Sequence, residues 1–259
     1  MRYLGCFFGF SRIKLLVKTF IRVSLLDNDM ADTCHQCGNE YKEIGKHWSW
    51  SECDYESLSQ HQHEVVVGLL MGDGGLNWSN DKPYVQVAMT TPNYLEYLSQ
   101  SIFPTCSGNV ALIQTAADCA ERDRNSGMNP TANKENYSDL YKVQTMSHPD
   151  LTQYNSWYST GKKVFPPDIE LTPTTLKHWY CGDGSLIDNG ASKIALHNER
   201  KNEDKIKKVF RRVGLTISNW YSGGSCTNIT FRGDEAEAFF NYIGEPLPDF
   251  SRKWPEQRC

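Results

Sequence analysis

The chain has 259 residues, of which 39% are hydrophobic, 22% charged and 12% aromatic, and its formal net charge is -4. That composition excludes a collagen-like repeat, a coiled-coil rod and a largely disordered chain. No stretch approaches the ~18 uninterrupted apolar residues of a membrane-spanning helix, so no membrane partner is expected. The acidic balance argues against a uniformly basic nucleic-acid binder, and any DNA-binding face must be a local patch on an acidic body.

Residues 1–30 carry Arg2, Arg12, Lys14, Lys18 and Arg22 against Asp27 and Asp29. These charges interrupt any signal-peptide core, so the segment reads as a disordered extension or the product of a start upstream of Met30. Nine cysteines, an odd number in a chain of this length, predict reduced thiols in the cytoplasm. Three of them cluster in a module over residues 31–58. Cys34, Cys37, His47 and Cys53 supply three thiolates and an imidazole, the donor set of a closed tetrahedral Zn²⁺ site. His35 competes as a ligand but sits between two cysteines, and Gly38 suits the tight turn of such a knuckle. Twenty residues cannot form a core, so metal binding would supply the module's folding energy. Its role is either an extra DNA contact or docking on the unit that begins at residue 59.

An apolar helix is predicted over His63–Gly75, and the alternation of Tyr84–Thr90 predicts a half-buried strand. Pro92 opens a second helix with Leu95, Leu98 and Ile102 on one face. Residues 114–137 are polar and read as a long loop. A strand over Leu140–Met146 and a helical segment over Asp150–Tyr158 complete a first unit. A second unit has its elements in similar order. It has a helix over Leu176–Gly184, a strand over Ser192–His197 and a helix over Asn198–Val213 with Ile206, Val209, Phe210 and Val213 as its apolar stripe. Paired strands over Leu215–Tyr221 and Thr227–Arg232 come next, then a helix from Asp234, its predicted N-cap, to Ile243. Two pseudo-equivalent halves are expected, spanning residues 59–160 and 161–259.

Both leading helices end alike, in Gly72-Asp73-Gly74 and Gly182-Asp183-Gly184. Glycine after each aspartate predicts a left-handed turn at the helix end. Gly68 and Gly72, four apart, would let another helix approach closely; the second helix has His178 and Gly182 in those places. Packed side by side, the helices would bring Asp73 and Asp183 together at the negative ends of two helix dipoles. A divalent cation resolves that repulsion. The carboxylates and the free carbonyls of Gly72 and Gly182 are hard oxygen ligands suited to Mg²⁺.

The stretches Val66–Gly74 and Leu176–Gly184 resemble the paired motifs of the LAGLIDADG homing endonucleases, in their single-chain form. Leu171-Thr172-Pro173 and Trp179-Tyr180 add to the likeness, which covers about residues 60–255. It implies an α+β fold of two αββαββα halves packed through the motif helices, their antiparallel sheets forming a saddle over the DNA major groove. It implies metal-dependent cleavage of both strands of double-stranded DNA, with Asp73 and Asp183 as the metal-binding catalytic acids. Lys163 and Lys253 look like the basic residues that the family places near each scissile phosphate, where a cation could stabilise building charge. His178 departs from the small residue usual at its position, which bears on helix spacing.

Base reading from a sheet needs polar side chains at alternate strand positions. Gln86, Lys142 and Gln144 in the first half, with Lys193 and Arg232 in the second, have suitable chemistry. The basic run Arg200–Arg212 reads as a solvated helix face. The expected protein is a monomeric, Mg²⁺-dependent, site-specific DNA endonuclease. The alternative is a non-catalytic DNA- or RNA-binding protein on the same scaffold, a regulator or intron maturase. An intein is not expected, since the chain closes on Gln257-Arg258-Cys259.

Overall fold

A computed structural model describes residues 31–158, 163–166, 168–187, 190–196, 199–223 and 226–256. The predicted extension over 1–30 lies outside them. In the cysteine module, β1 (Asp32–Thr33) pairs with β2 (Glu40–Tyr41), and α1 (Ile44–Trp50) follows.

The first half begins with α2 (Gln60–Met71), started by a capping box in which Ser59 and Gln62 bond each other's backbone N–H groups. β3 (Gly74–Ser79), β4 (Lys82–Met89), β5 (Ala111–Gln114) and β6 (Leu140–Gln144) form an antiparallel sheet in the order β3-β4-β6-β5. Between β4 and β5 runs α3 (Pro92–Tyr97), which widens into a π-helical turn over Leu98–Ile102. The helical segment expected at the end of this half is a 3-10 helix, Pro149–Tyr158.

The second half repeats the plan. α5 (Pro173–Asp183) is capped by Thr172, whose hydroxyl accepts from the Thr175 N–H. β7 (Gly184–Leu186), β8 (Ser192–Ala195), β9 (Asn219–Gly223) and β10 (Cys226–Phe231) pair in the order β7-β8-β10-β9, the same topology as the first sheet. α6 (Glu203–Arg212) and α7 (Asp234–Ile243) back it. The fold is therefore the expected pair of αββαββα halves. No helix among the described residues is long and apolar enough to cross a membrane.

α2 and α5 form the spine. Their apolar residues join one core containing Leu69, Leu70, Leu176, Trp179 and Tyr180, continuous with the inner faces of both sheets. Gly68 permits this spacing: a Cβ there would stand 2.5 Å from the Thr175 carbonyl oxygen and 2.6 Å from the His178 Cβ. The bulk of His178 is accommodated because its ring turns aside to bond Tyr94, 2.6 Å from its hydroxyl.

Four local expectations need correction. Residues 114–137 are not a loop throughout, since α4 (Ala116–Asn125) stands inside them behind a capping box of Thr115 and Asp118. Only Cys119 and Ala120 of that helix are buried, so it writes no apolar stripe into the sequence. Neither Gly74 nor Gly184 adopts a left-handed conformation. Glycine is required there by crowding instead: a Cβ on Gly184 would fall 2.1 Å from the Tyr180 ring, and one on Gly74 2.7 Å from the Leu69 carbonyl oxygen. Asp234 is the first helical residue of α7, and the cap is Gly233 at φ 56. Finally, β9 starts at Asn219 rather than Leu215, which is buried in the core ahead of the strand.

Candidate active site

The two motif helices cross at their C-terminal ends. A Cβ on Gly182 would lie 2.8 Å from the Asp73 amide nitrogen and 3.1 Å from the Gly72 Cα, so the backbones meet where the acids begin. Asp183 is the last residue of α5, and Asp73 stands two residues past the end of α2. Asp73 is exposed and Asp183 half-buried. Residues far apart in sequence thus converge at one point, because glycine at both helix ends allows so close a crossing.

Both expected lysines arrive here. The Lys163 ammonium donates to the carbonyl oxygens of Leu70 (2.9 Å), Met71 (3.0 Å) and Gly72 (3.4 Å) at the end of α2. The Lys253 ammonium donates to Cys181 (2.6 Å) and Gly182 (3.1 Å) at the end of α5. Each cation thus neutralises the negative end of one helix dipole and satisfies carbonyls that the helix leaves unpaired. The Gly72 and Gly182 carbonyls, expected to be free, already accept from lysine. Burial lowers the pKa of Lys163, while Asp183, Asp73 and Glu199 oppose the shift. Burial likewise lowers that of Lys253, against Cys181, Asp73 and Asp183. Each lysine therefore feels both acids.

Two further residues, neither marked as functional by its sequence context, pack beside the acids: Tyr94 and His178, both buried, lie next to Asp73 and Gly182. Burial drives the His178 pKa down to about 3, with His61 and Lys177 adding to the effect, so its ring is neutral.

The sheets leave one face open. Val85, Val87 and Val143 point into the core, and Gln86, Lys142 and Gln144 alternate with them on the other side. Gln86 stands directly opposite Gln144, and Lys142 opposite Ala88. In the second sheet Lys193 lies between Ser185 and Thr230. Arg232 is exposed one residue past β10, where its N–H donates to the Ser218 hydroxyl. The same faces carry Asn77, opposite Tyr84, and Asn228, opposite Tyr221. Asn77 has no clear sequence signal, because β3 starts immediately after the Asp73 motif and overlaps the end of the stretch expected to be helical.

The cysteine module closes on itself as its donor set requires. One ligand atom from each of Cys34, Cys37, His47 and Cys53 lies within 4.8 Å of all the others, a cluster that could hold a metal ion. Cys37 Sγ is 3.6 Å from His47 Nε2, close to the edge of about 3.5 Å that a tetrahedron of ordinary Zn–S and Zn–N bonds would have. Burial raises the Cys34 pKa, but the N–H groups of Cys37 and Gln36, together with the Trp48 and His47 side chains, outweigh it and bring the thiol to about 6. Gly38 makes the tight turn expected, in the left-handed region at φ 72. The module also packs on the first half. Gly45 leaves room for Met146, Tyr55 meets His148 edge-on at 5.3 Å, and the Leu58 N–H donates to Asp150 (2.8 Å). The module therefore docks on the first half, one of the two roles open from sequence.

Residues 63–239 match the LAGLIDADG DNA endonuclease family. The chain belongs to that family. Among curated proteins it is similar to the cytochrome b mRNA maturase bI2 of Debaryomyces hansenii, 25% identical over 171 residues. That match takes in 62% of this chain and 60% of the maturase, so the chain spans less than two thirds of the maturase's length. Among solved structures it is similar to the homing endonuclease I-WcaI bound to its DNA recognition sequence. There the TM-score is 0.62 at 16% identity, over 77% of this chain and 88% of that one, which establishes the LAGLIDADG fold.

Proposed function

We propose that this LAGLIDADG protein is a site-specific double-strand DNA endonuclease, acting as a monomer, in which the halves at 59–160 and 161–259 each attend to one strand. The observation that carries this reading is the meeting of two carboxylates and two half-buried lysine side chains at adjoining helix ends. A DNA-binding scaffold without chemistry has no use for carboxylates placed where phosphates would approach.

Asp73 and Asp183 would hold a divalent cation such as Mg²⁺ through their hard carboxylate oxygens, which meet where the two motif helices end, while the Gly72 and Gly182 carbonyls are taken up by Lys163 and Lys253. Such an ion supplies Lewis acidity at a phosphate oxygen. The chain's own part is to bring the acids together at the helix ends and to place the Lys163 and Lys253 side chains beside them. There they stabilise negative charge on a phosphate under attack. Gln86, Lys142, Gln144, Lys193 and Arg232 would meet the duplex from the open sheet faces. Zn²⁺ at Cys34, Cys37, His47 and Cys53 would fold the module over residues 31–58.

The likeness to an mRNA maturase supports a second reading, a non-catalytic RNA- or DNA-binding protein. A supercoiled plasmid carrying the uninterrupted form of the chain's own locus separates the two. Linear product with Mg²⁺ and none with EDTA supports the nuclease. Binding without strand breakage supports the alternative.

A further inference from the structure

Tyr94 lies at the junction of the two halves. Its hydroxyl bonds His178 of α5, and its ring meets Phe250 edge-on at 5.0 Å. Its backbone N–H and that of Asn93 point at one carboxylate, Asp249, at 3.4 and 2.9 Å, and the Asn93 side-chain amide donates to the other oxygen at 2.7 Å. Thr91, the residue before α3, makes no side-chain cap. Asp249 caps α3 from the other half of the molecule, 156 residues away.

Asp249 does this in an uncommon conformation. Its φ is 67, in the left-handed region that non-glycine residues enter at a cost. The turn it makes delivers Phe250 into the core and leads directly into the 3-10 turn Ser251–Lys253. Lys253 then reaches the Cys181 and Gly182 carbonyls. Trp254 and the Tyr180 hydroxyl, which donates to the Lys253 carbonyl, anchor this strap to its own half. The hydrogen bonds of Asp249, beside the Phe250–Tyr94 ring contact, register it against the first half, where Asp73 lies.

We propose that Asp249 is a positioning residue for Lys253: its grip on the start of α3 sets where the second ammonium stands relative to Asp73 and Asp183. Lys163 reaches the site by a separate segment, so the effect is confined to one half. This inference rests on the endonuclease reading, and the test separates the two.

Asp249→Gly removes the carboxylate while accepting φ 67 freely, and Asp249→Asn retains one acceptor in a residue that tolerates the same turn. Nicking of each strand is followed on end-labelled plasmid carrying the uninterrupted locus, and amide exchange is followed over residues 250–254. With Asp249→Gly, one strand is expected to be cut at least tenfold more slowly and the other within threefold of the parent. Nicked circles accumulate, DNA affinity is unchanged and exchange over 250–254 rises. Asp249→Asn should return the slow strand to within threefold. Equal slowing of both strands, no slowing, or undiminished protection of 250–254 would overturn the proposal. A parent that binds but cuts neither strand would instead defeat the endonuclease reading, and the exchange measurement would still decide whether Asp249 holds the strap.

Discussion

Lys163 and Lys253 occupy equivalent places: each ammonium sits on the terminal carbonyls of one motif helix, Lys163 on Leu70, Met71 and Gly72, Lys253 on Cys181 and Gly182. The two lysines come from different secondary structure, each ahead of an aromatic residue and a proline, and converge because each helix end presents the same unpaired oxygens.

Replacing either lysine by methionine keeps the stem's packing and deletes the charge. Cleavage should fall at least ~100-fold, the scale of losing one charge-stabilising donor. Stability should fall by about 1–3 kcal/mol, because hydrogen bonds to a charged group are lost from buried carbonyls. Single-turnover cleavage and urea unfolding check the two effects separately. Unchanged cleavage would remove the lysines from the chemistry and leave them as helix caps.

Asp73→Asn and Asp183→Asn preserve shape and remove a negative charge from the helix crossing. Double-strand cleavage is expected to vanish in both while the dissociation constant for the target stays within a few-fold. Gel shift beside a cleavage assay reads this. Full activity in either variant would refute the assignment of the acids.

Gly68→Ala places a methyl 2.5 Å from the Thr175 carbonyl oxygen, which is backbone and cannot swing aside. The helices must separate, at a cost of about 1–3 kcal/mol. A lowered urea midpoint at neutral pH is the expected result. Because the separation also parts Asp73 from Asp183, cleavage should weaken in the fraction that remains folded.

His178 makes stability depend on acidity. Burial holds its folded pKa down at about 3, below the ordinary value of 6.5, so the unfolded chain binds the proton more readily. The contribution is fully present above pH 6.5 and is lost progressively as pH falls toward 3. His148, whose pKa burial also lowers, acts in the same direction. Thermal unfolding followed from neutral pH down to about 4.5 should show a steep loss. Asn in place of His178 should flatten that slope while lowering stability at neutral pH; an unchanged slope would contradict the assignment.

The cysteine module should hold one zinc ion per chain. A strong thiol-compatible chelator, or Cys53→Ser, should release it and expose Trp48, which is buried beside Cys34 in the module's small core. Metal analysis with tryptophan fluorescence follows both events. If chelation leaves the fluorescence unchanged, the module folds without metal.

The range of the forces involved separates what is legible in the sequence from what is not. The motif helices, both acids and the repeated order of elements can be read from sequence because apolar periodicity and short glycine motifs are local patterns. The cysteine cluster is legible for the same reason: ligand type and spacing are written into one short stretch. α4 is not, since a polar helix resting on two small buried residues carries no periodic signal. The left-handed turns expected at Gly74 and Gly184 do not form, because their need for glycine comes from Leu69 and Tyr180 folding back onto them, which spacing alone does not disclose. What the tertiary structure alone decided is how distant groups meet. Lys163 and Lys253 land on the C-terminal ends of the two motif helices, His178 turns onto Tyr94, Asp249 caps a helix in the other half and the module seats Gly45 on Met146. Each of these depends on directional contacts of a few ångströms between residues far apart in the chain, and such contacts exist only once the core has fixed both partners in place.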